Sequence, residues 1–166
     1  MNLGRLGKRL PRARVLYLVV AAVCAALIGA AMYLQFHENL EPCPLCILQR
    51  YAYVLVGGLA LLAALLPAVL GRIVAALGLL AALAGAGVGA WHVWLQTHPP
   101  AVSACGPSLE YLVGNLPLGR ALPRIFQGYA DCSNVDWTFL HLSIPAWSVL
   151  WLLAIALTLG VAQARR

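Results

Sequence analysis

Charge is what this chain has least of. Of its 166 residues only 10% are Asp, Glu, Lys or Arg, and five of those are acidic; a soluble domain carries about a quarter. That scarcity excludes an ordinary solvated surface. Other familiar patterns are missing too. Haem attachment needs histidine directly after Cys-x-x-Cys, and Ile47 stands there after "CPLC". The stretch "GAGVGAW", residues 85–91, lacks the flanking strand and the spacing of a dinucleotide fingerprint. The net charge of +6 is no nucleic-acid footprint, because the basic residues flank apolar runs instead of lining a polar face among aromatics.

What remains is grease: 63% of the chain is hydrophobic. Four apolar runs approach the roughly 20 residues that a membrane crossing needs. In lipid each must be a helix, since the backbone has to satisfy its own hydrogen bonds. The expected fold is an all-α integral membrane domain over residues 1–166, an antiparallel four-helix bundle. Its spans are 15–36, 47–66, 73–95 and 144–162, joined by an outer loop at 37–46, an inner loop at 67–72 and a second outer loop at 96–143. Residues 1–14 and 163–166 form the ends. The first run, at 22 residues, exceeds the roughly 7–15 of a cleaved signal core, so it is expected to stay.

The basic residues set the orientation. Arg5, Lys8, Arg9, Arg12, Arg14, Arg72, Arg165 and Arg166 fall on one side with no acid among them. Glu38, Glu41, Glu110, Asp131 and Asp136 all fall in the two opposite loops. Both ends are therefore expected inside, in the cytoplasm.

This topology sorts the cysteines. Cys43 and Cys46 lie in the first outer loop, and Cys105 and Cys132 in the second. Cys24 lies mid-span, 13 residues before His37 and so about 20 Å below the outer surface. It reads as a small apolar packing residue. Four outer cysteines on an oxidising face suggest disulfides, with three connectivities open. A Cys-x-x-Cys loop is too short to stabilise much as a staple. Such pairs more often exchange electrons. A zinc site made of all four sulfurs would repeat the knuckle spacing, whereas 26 residues separate Cys105 from Cys132; no metal is expected.

Arg50 follows Cys46 by one helical turn. If a helix starts near Cys46, its dipole and the guanidinium both favour a thiolate there. The bland alternative is an interfacial anchor. In the third span Gly85, Gly89, His92 and Gln96 form one helical stripe, with the two glycines in a small-xxx-small pattern. The stripe is expected to face the bundle and to carry His92 to the depth of Cys46 and Arg50. Between Gly106 and Asp131, Leu109, Leu112, Val113 and Leu116 keep helical spacing, which fits a short membrane-surface helix.

These residues together resemble the DsbB disulfide bond formation proteins of bacterial inner membranes. The resemblance rests on four spans, "CPLC" followed by Arg50, His92 thirteen residues before Cys105, "DC" at 131–132, and "WTFLHLSIPAW" leading into span four. It implies a multi-pass inner-membrane enzyme whose redox loops are periplasmic. It further implies that Cys105 and Cys132 form a disulfide that a DsbA-type periplasmic thiol oxidase attacks at Cys105. Electrons then pass through Cys132 to Cys43 and Cys46, and from Cys46 to a quinone, ubiquinone or menaquinone, with Arg50 and His92 beside the ring. Two other readings stay open from the residues alone: a scaffold with structural disulfides, and a metal-binding membrane module. A vitamin K epoxide reductase type would place its Cys-x-x-Cys late in the chain, at the last span, whereas here it opens span two.

Overall fold

The structure, a computed structural model, describes residues 3–37, 42–98, 114–115, 117 and 137–164, the first ten of these as backbone only. Helix α1 runs Leu3–His37, α2 Pro44–Leu65, α3 Ala68–Thr97 and α4 Ile144–Ala164. All four contain stretches long and apolar enough to cross a membrane. A two-residue turn at Leu66 and Pro67 joins α2 to α3. Leu66 is extended, with φ −78° and ψ 158°, as the residue before a proline should be. Helix α3 starts five residues earlier than the apolar run suggested, because Arg72 does not interrupt a helix and Pro67 starts one.

Burial follows residue size. The inner positions are small: Gly57, Ala60, Ala63 and Ala64 on α2, and Ala75, Gly78, Ala82 and Ala86 on α3. Many large apolar side chains point outward, among them Leu61, Leu62, Leu77, Leu80 and Leu157, while Tyr17, Leu45, Leu152 and Leu159 are buried. Water would punish that arrangement; lipid does not, and association there depends on close packing of small residues. A Cβ on Gly85 would stand 2.8 Å from Ala52 Cβ and 3.2 Å from Leu152 Cδ1, and one on Gly89 would stand 2.7 Å from Val149 Cγ2. The glycine stripe thus wedges α3 between α2 and α4. A Cβ on Gly57 would meet Cys24 Cβ at 2.9 Å, so the buried Cys24 is the packing partner that closes α1 onto α2.

Before α4 the chain makes a short hairpin that the sequence did not announce. Strands β1, Thr138–Phe139, and β2, Leu142–Ser143, pair antiparallel, with Thr138 opposite Ser143. The two turn residues, Leu140 and His141, have φ of 52° and 63°. A turn of that shape normally draws Asn or Gly, so both residues are strained. The surroundings hold it: Trp147 Nε1 donates to the Phe139 carbonyl at 3.0 Å, and Ser143 Oγ donates to Gln96 Oε1 at 2.8 Å. The expected surface helix lies almost wholly outside the described residues.

Candidate active site

The "CPLC" segment is built as a helix start. Pro44 fixes φ and needs no hydrogen-bond acceptor, which suits the first helical position, and it keeps Cys43 extended at φ −66°, ψ 162°. Cys43 is therefore the N-cap. Its sulfur accepts from the backbone N–H of Cys46 at 3.3 Å, where serine or aspartate usually offers oxygen. The expectation of a helix opening near Cys46 shifts upstream by two residues, and the sulfur at the positive end of the helix is that of Cys43. Cys46 sits in the first turn, with its sulfur 2.9 Å from that of Cys43. Closing a disulfide from there requires an approach of about 0.9 Å.

His92 is 2% exposed and brings Nε2 to 3.7 Å from Cys43 Sγ. Its other nitrogen, Nδ1, is 3.1 Å from the amide nitrogen of Gln49. An amide nitrogen only donates, so Nδ1 accepts and the ring proton stands on Nε2, facing the sulfur. A negative charge on Cys43 would then meet two N–H donors, one from its own helix and one from α3. Gln49 is a site residue that the sequence-based expectations omit. The available signal was the run Cys46, Gln49, Tyr53, a polar stripe at helical spacing along an apolar helix.

Arg50 lies one helical turn beyond Cys46 on α2. Its guanidinium crosses to α1, where it donates to Gln35 Oε1 and to the Ala31 carbonyl at 3.4 Å, with Met32 Sδ 3.7 Å away. These partners are neutral, so none of them cancels the positive charge. Below the site, Tyr53 donates to the Ser148 carbonyl at 3.0 Å and ties α2 to α4.

These groups converge on one cavity of about 530 Å³ between the four helices and the hairpin. Cys43, Cys46, Gln49, Arg50, His92 and Gln96 supply its polar wall; Leu27, Ile28, Leu34, Ile144, Trp147 and Trp151 supply the apolar one. The volume lies in the range of a small-molecule site. A flat apolar ring with two polar oxygens suits such a lining, and a quinone fits it by chemistry. Cys105 and Cys132 lie outside the described residues, so the geometry concerns the first pair alone.

A four-helix membrane bundle with a dithiol on the wall of an apolar cavity defines a membrane-embedded thiol oxidoreductase. The family model for the disulfide bond formation protein DsbB matches residues 13–162. Among relatives named disulfide bond formation protein B, one from Azoarcus sp. is 52% identical over 144 residues, covering 85% of this chain and 87% of its own. One from Methylococcus capsulatus is 49% identical over 150 residues, 88% of this chain and 91% of its own, and one from Xanthomonas oryzae pv. oryzae 40% over 148, 87% and 86%. The chain belongs to the DsbB family of disulfide bond formation proteins. It is a disulfide-generating thiol:quinone oxidoreductase.

Proposed function

We propose that this protein reoxidises a DsbA-type periplasmic dithiol and passes the electrons through Cys43 and Cys46 to a membrane quinone, ubiquinone or menaquinone. The observation that carries the reading is the dithiol standing with Arg50 and His92 on the wall of one apolar cavity. When bound, the quinone supplies a two-electron acceptor that leaves as quinol. The chain's own groups do the rest. Cys46, less buried than Cys43, would be the sulfur that meets the ring. As the Cys43–Cys46 S–S bond forms, the pair gives up two electrons and its remaining thiol protons, which the bound quinone would take up. The Cys46 N–H and the His92 Nε2–H hold the attacking Cys43 as thiolate. Arg50 places a positive charge on the cavity wall, which would stabilise a ring oxygen as it becomes negative. The apolar wall excludes water and strengthens both interactions.

The supply side uses Cys105 and Cys132. Their disulfide accepts the partner's thiolate at Cys105, and Cys132, freed as thiolate, exchanges with the Cys43–Cys46 disulfide at Cys43. The site would sit at the outer membrane face, with both chain ends cytoplasmic, as the basic residues direct.

The test mixes purified protein with a reduced thioredoxin-like partner and a soluble quinone analogue, and follows quinone absorbance. Turnover should vanish in Cys46→Ser and also in Cys132→Ser, which has no Cys105–Cys132 disulfide for the partner's thiolate to attack. Quinone consumption unaffected by Cys46→Ser would eliminate the relay.

A further inference from the structure

Three donors from two helices meet on the cavity wall: Cys43 Sγ, Cys46 Sγ and His92 Nε2, all within 4.8 Å of one another. The relay explains the thiols as electron carriers, but this triangle also has the composition and size of a soft-cation site. We propose that the dithiol state of this protein binds one zinc-class cation through these three atoms, with the fourth position open to the cavity. This set differs from a four-cysteine module, since neither Cys105 nor Cys132 takes part.

The distances carry the proposal. Tetrahedral coordination with metal–sulfur bonds of about 2.3 Å and metal–nitrogen bonds of about 2.05 Å places the donors about 3.5–3.8 Å apart. Cys43 Sγ and His92 Nε2 already stand 3.7 Å apart. The two sulfurs, at 2.9 Å, must part by under about 1 Å, which side-chain rotation supplies at the end of a helix. The support behind the histidine is present as well. A ligating Nε2 needs its lone pair, so the ring proton must move to Nδ1, and a metal-bound histidine usually donates that N–H to an oxygen. Gln49 stands 3.1 Å from Nδ1, and half a turn of its amide offers Oε1 in place of the nitrogen. The same glutamine thus serves both states of the ring. His92 is also buried, at 2% exposure, on a helix whose neighbouring Gly89 packs against Val149, so the third donor is held in place.

Binding takes both sulfurs as thiolates, releasing whatever thiol proton the pair still carries, and transfers no electrons. It is possible only while the pair is reduced, because a disulfide has no thiolate to give. An ion seated here blocks the closure of Cys43 on Cys46. The site would therefore act as a brake that zinc applies to the reduced enzyme and that a chelator or a completed oxidation removes.

The experiment titrates Co²⁺, as an optical probe for zinc, into the full-length reduced protein in detergent. It does not depend on whether any quinone is reduced, so its failure and a failure of the relay are separate results. The expected result is one equivalent bound, with thiolate-to-cobalt charge transfer and tetrahedral ligand-field absorption that Zn²⁺ bleaches. The signal should persist in Cys24→Ser and in Cys105→Ser/Cys132→Ser, weaken at least about tenfold in His92→Ala and in Gln49→Leu, and be absent from oxidised wild-type protein. The oxidised control requires no substitution and so cannot fail by misfolding. A spectrum without thiolate bands, a signal surviving Cys46→Ser, or one that needs Cys105 and Cys132 would overturn the site. So would unchanged affinity in His92→Ala.

Discussion

The two ends of this bundle are made from the same four helices and follow opposite packing rules. At the end that holds the α2–α3 turn, alanines fill much of the gap: Ala60, Ala63, Ala75 and Ala162 are each 0% exposed. At the opposite end, within about four turns of the same helices, glutamine, arginine, histidine and two thiols face a cavity of about 530 Å³. The difference teaches how a membrane protein keeps a hole open. Glycine and alanine bring the helices close in the first half, with Tyr17 and Leu159 filling the remaining space. The other half can then diverge around a ligand with its polar groups already aimed.

That contrast can be broken from either side, and the largest effect is expected at the sulfur. Cys43→Ser should lower quinone reduction by at least about a thousandfold, as for loss of an acting nucleophile. Its thermal unfolding in detergent should stay close to wild type, because serine also caps a helix. A collapse in stability matching the loss of rate would return the pair to a structural role. Next comes Arg50→Ala, which should raise the quinone KM about 10–100-fold, the value of a hydrogen bond to a charged group. An unchanged KM would make Arg50 an interfacial anchor.

At the packed level the consequences reverse. Gly85→Val places carbon 2.8 Å from Ala52 and should destabilise the bundle by about 1–3 kcal/mol, read as a lower Tm. The surviving folded fraction should keep near-normal quinone KM. Equal damage to KM would mean that the two halves are not separable. The smallest effect is expected from Gln49→Leu, which removes the hydrogen bond to His92 and should slow the single-turnover oxidation of the dithiol by about tenfold, with quinone KM unmoved. If KM rises instead, Gln49 contacts the ring directly and belongs with Arg50.

Much of this was legible from residue types alone. Four spans followed from run length and the absence of charge, and the glycine stripe placed His92 on the bundle side of α3. The family resemblance gathered Cys43, Cys46, Arg50 and His92 into one neighbourhood. The local chemistry was less legible. Periodicity does not say which cysteine caps α2; Pro44 decides that, by holding Cys43 extended and occupying the first helical position itself. Gln49 is hard to see because a single neutral amide in an apolar helix carries no charge to attract notice, although its spacing from Cys46 and Tyr53 was there to read. The hairpin was hidden for the opposite reason. "LH" at 140–141 is a poor turn pair, and tertiary contacts from Trp147 and Gln96 help to hold it in that shape.

One titration addresses the central claim with the fewest assumptions. In Cys105→Ser/Cys132→Ser protein, fully reduced, the pair on α2 is the only dithiol that can reach the cavity. Added in excess, a quinone analogue should be consumed at one equivalent per chain, with the Cys43–Cys46 disulfide appearing in step by mass spectrometry. Consumption near zero, or consumption that persists when Cys46 is also replaced by serine, would contradict the account.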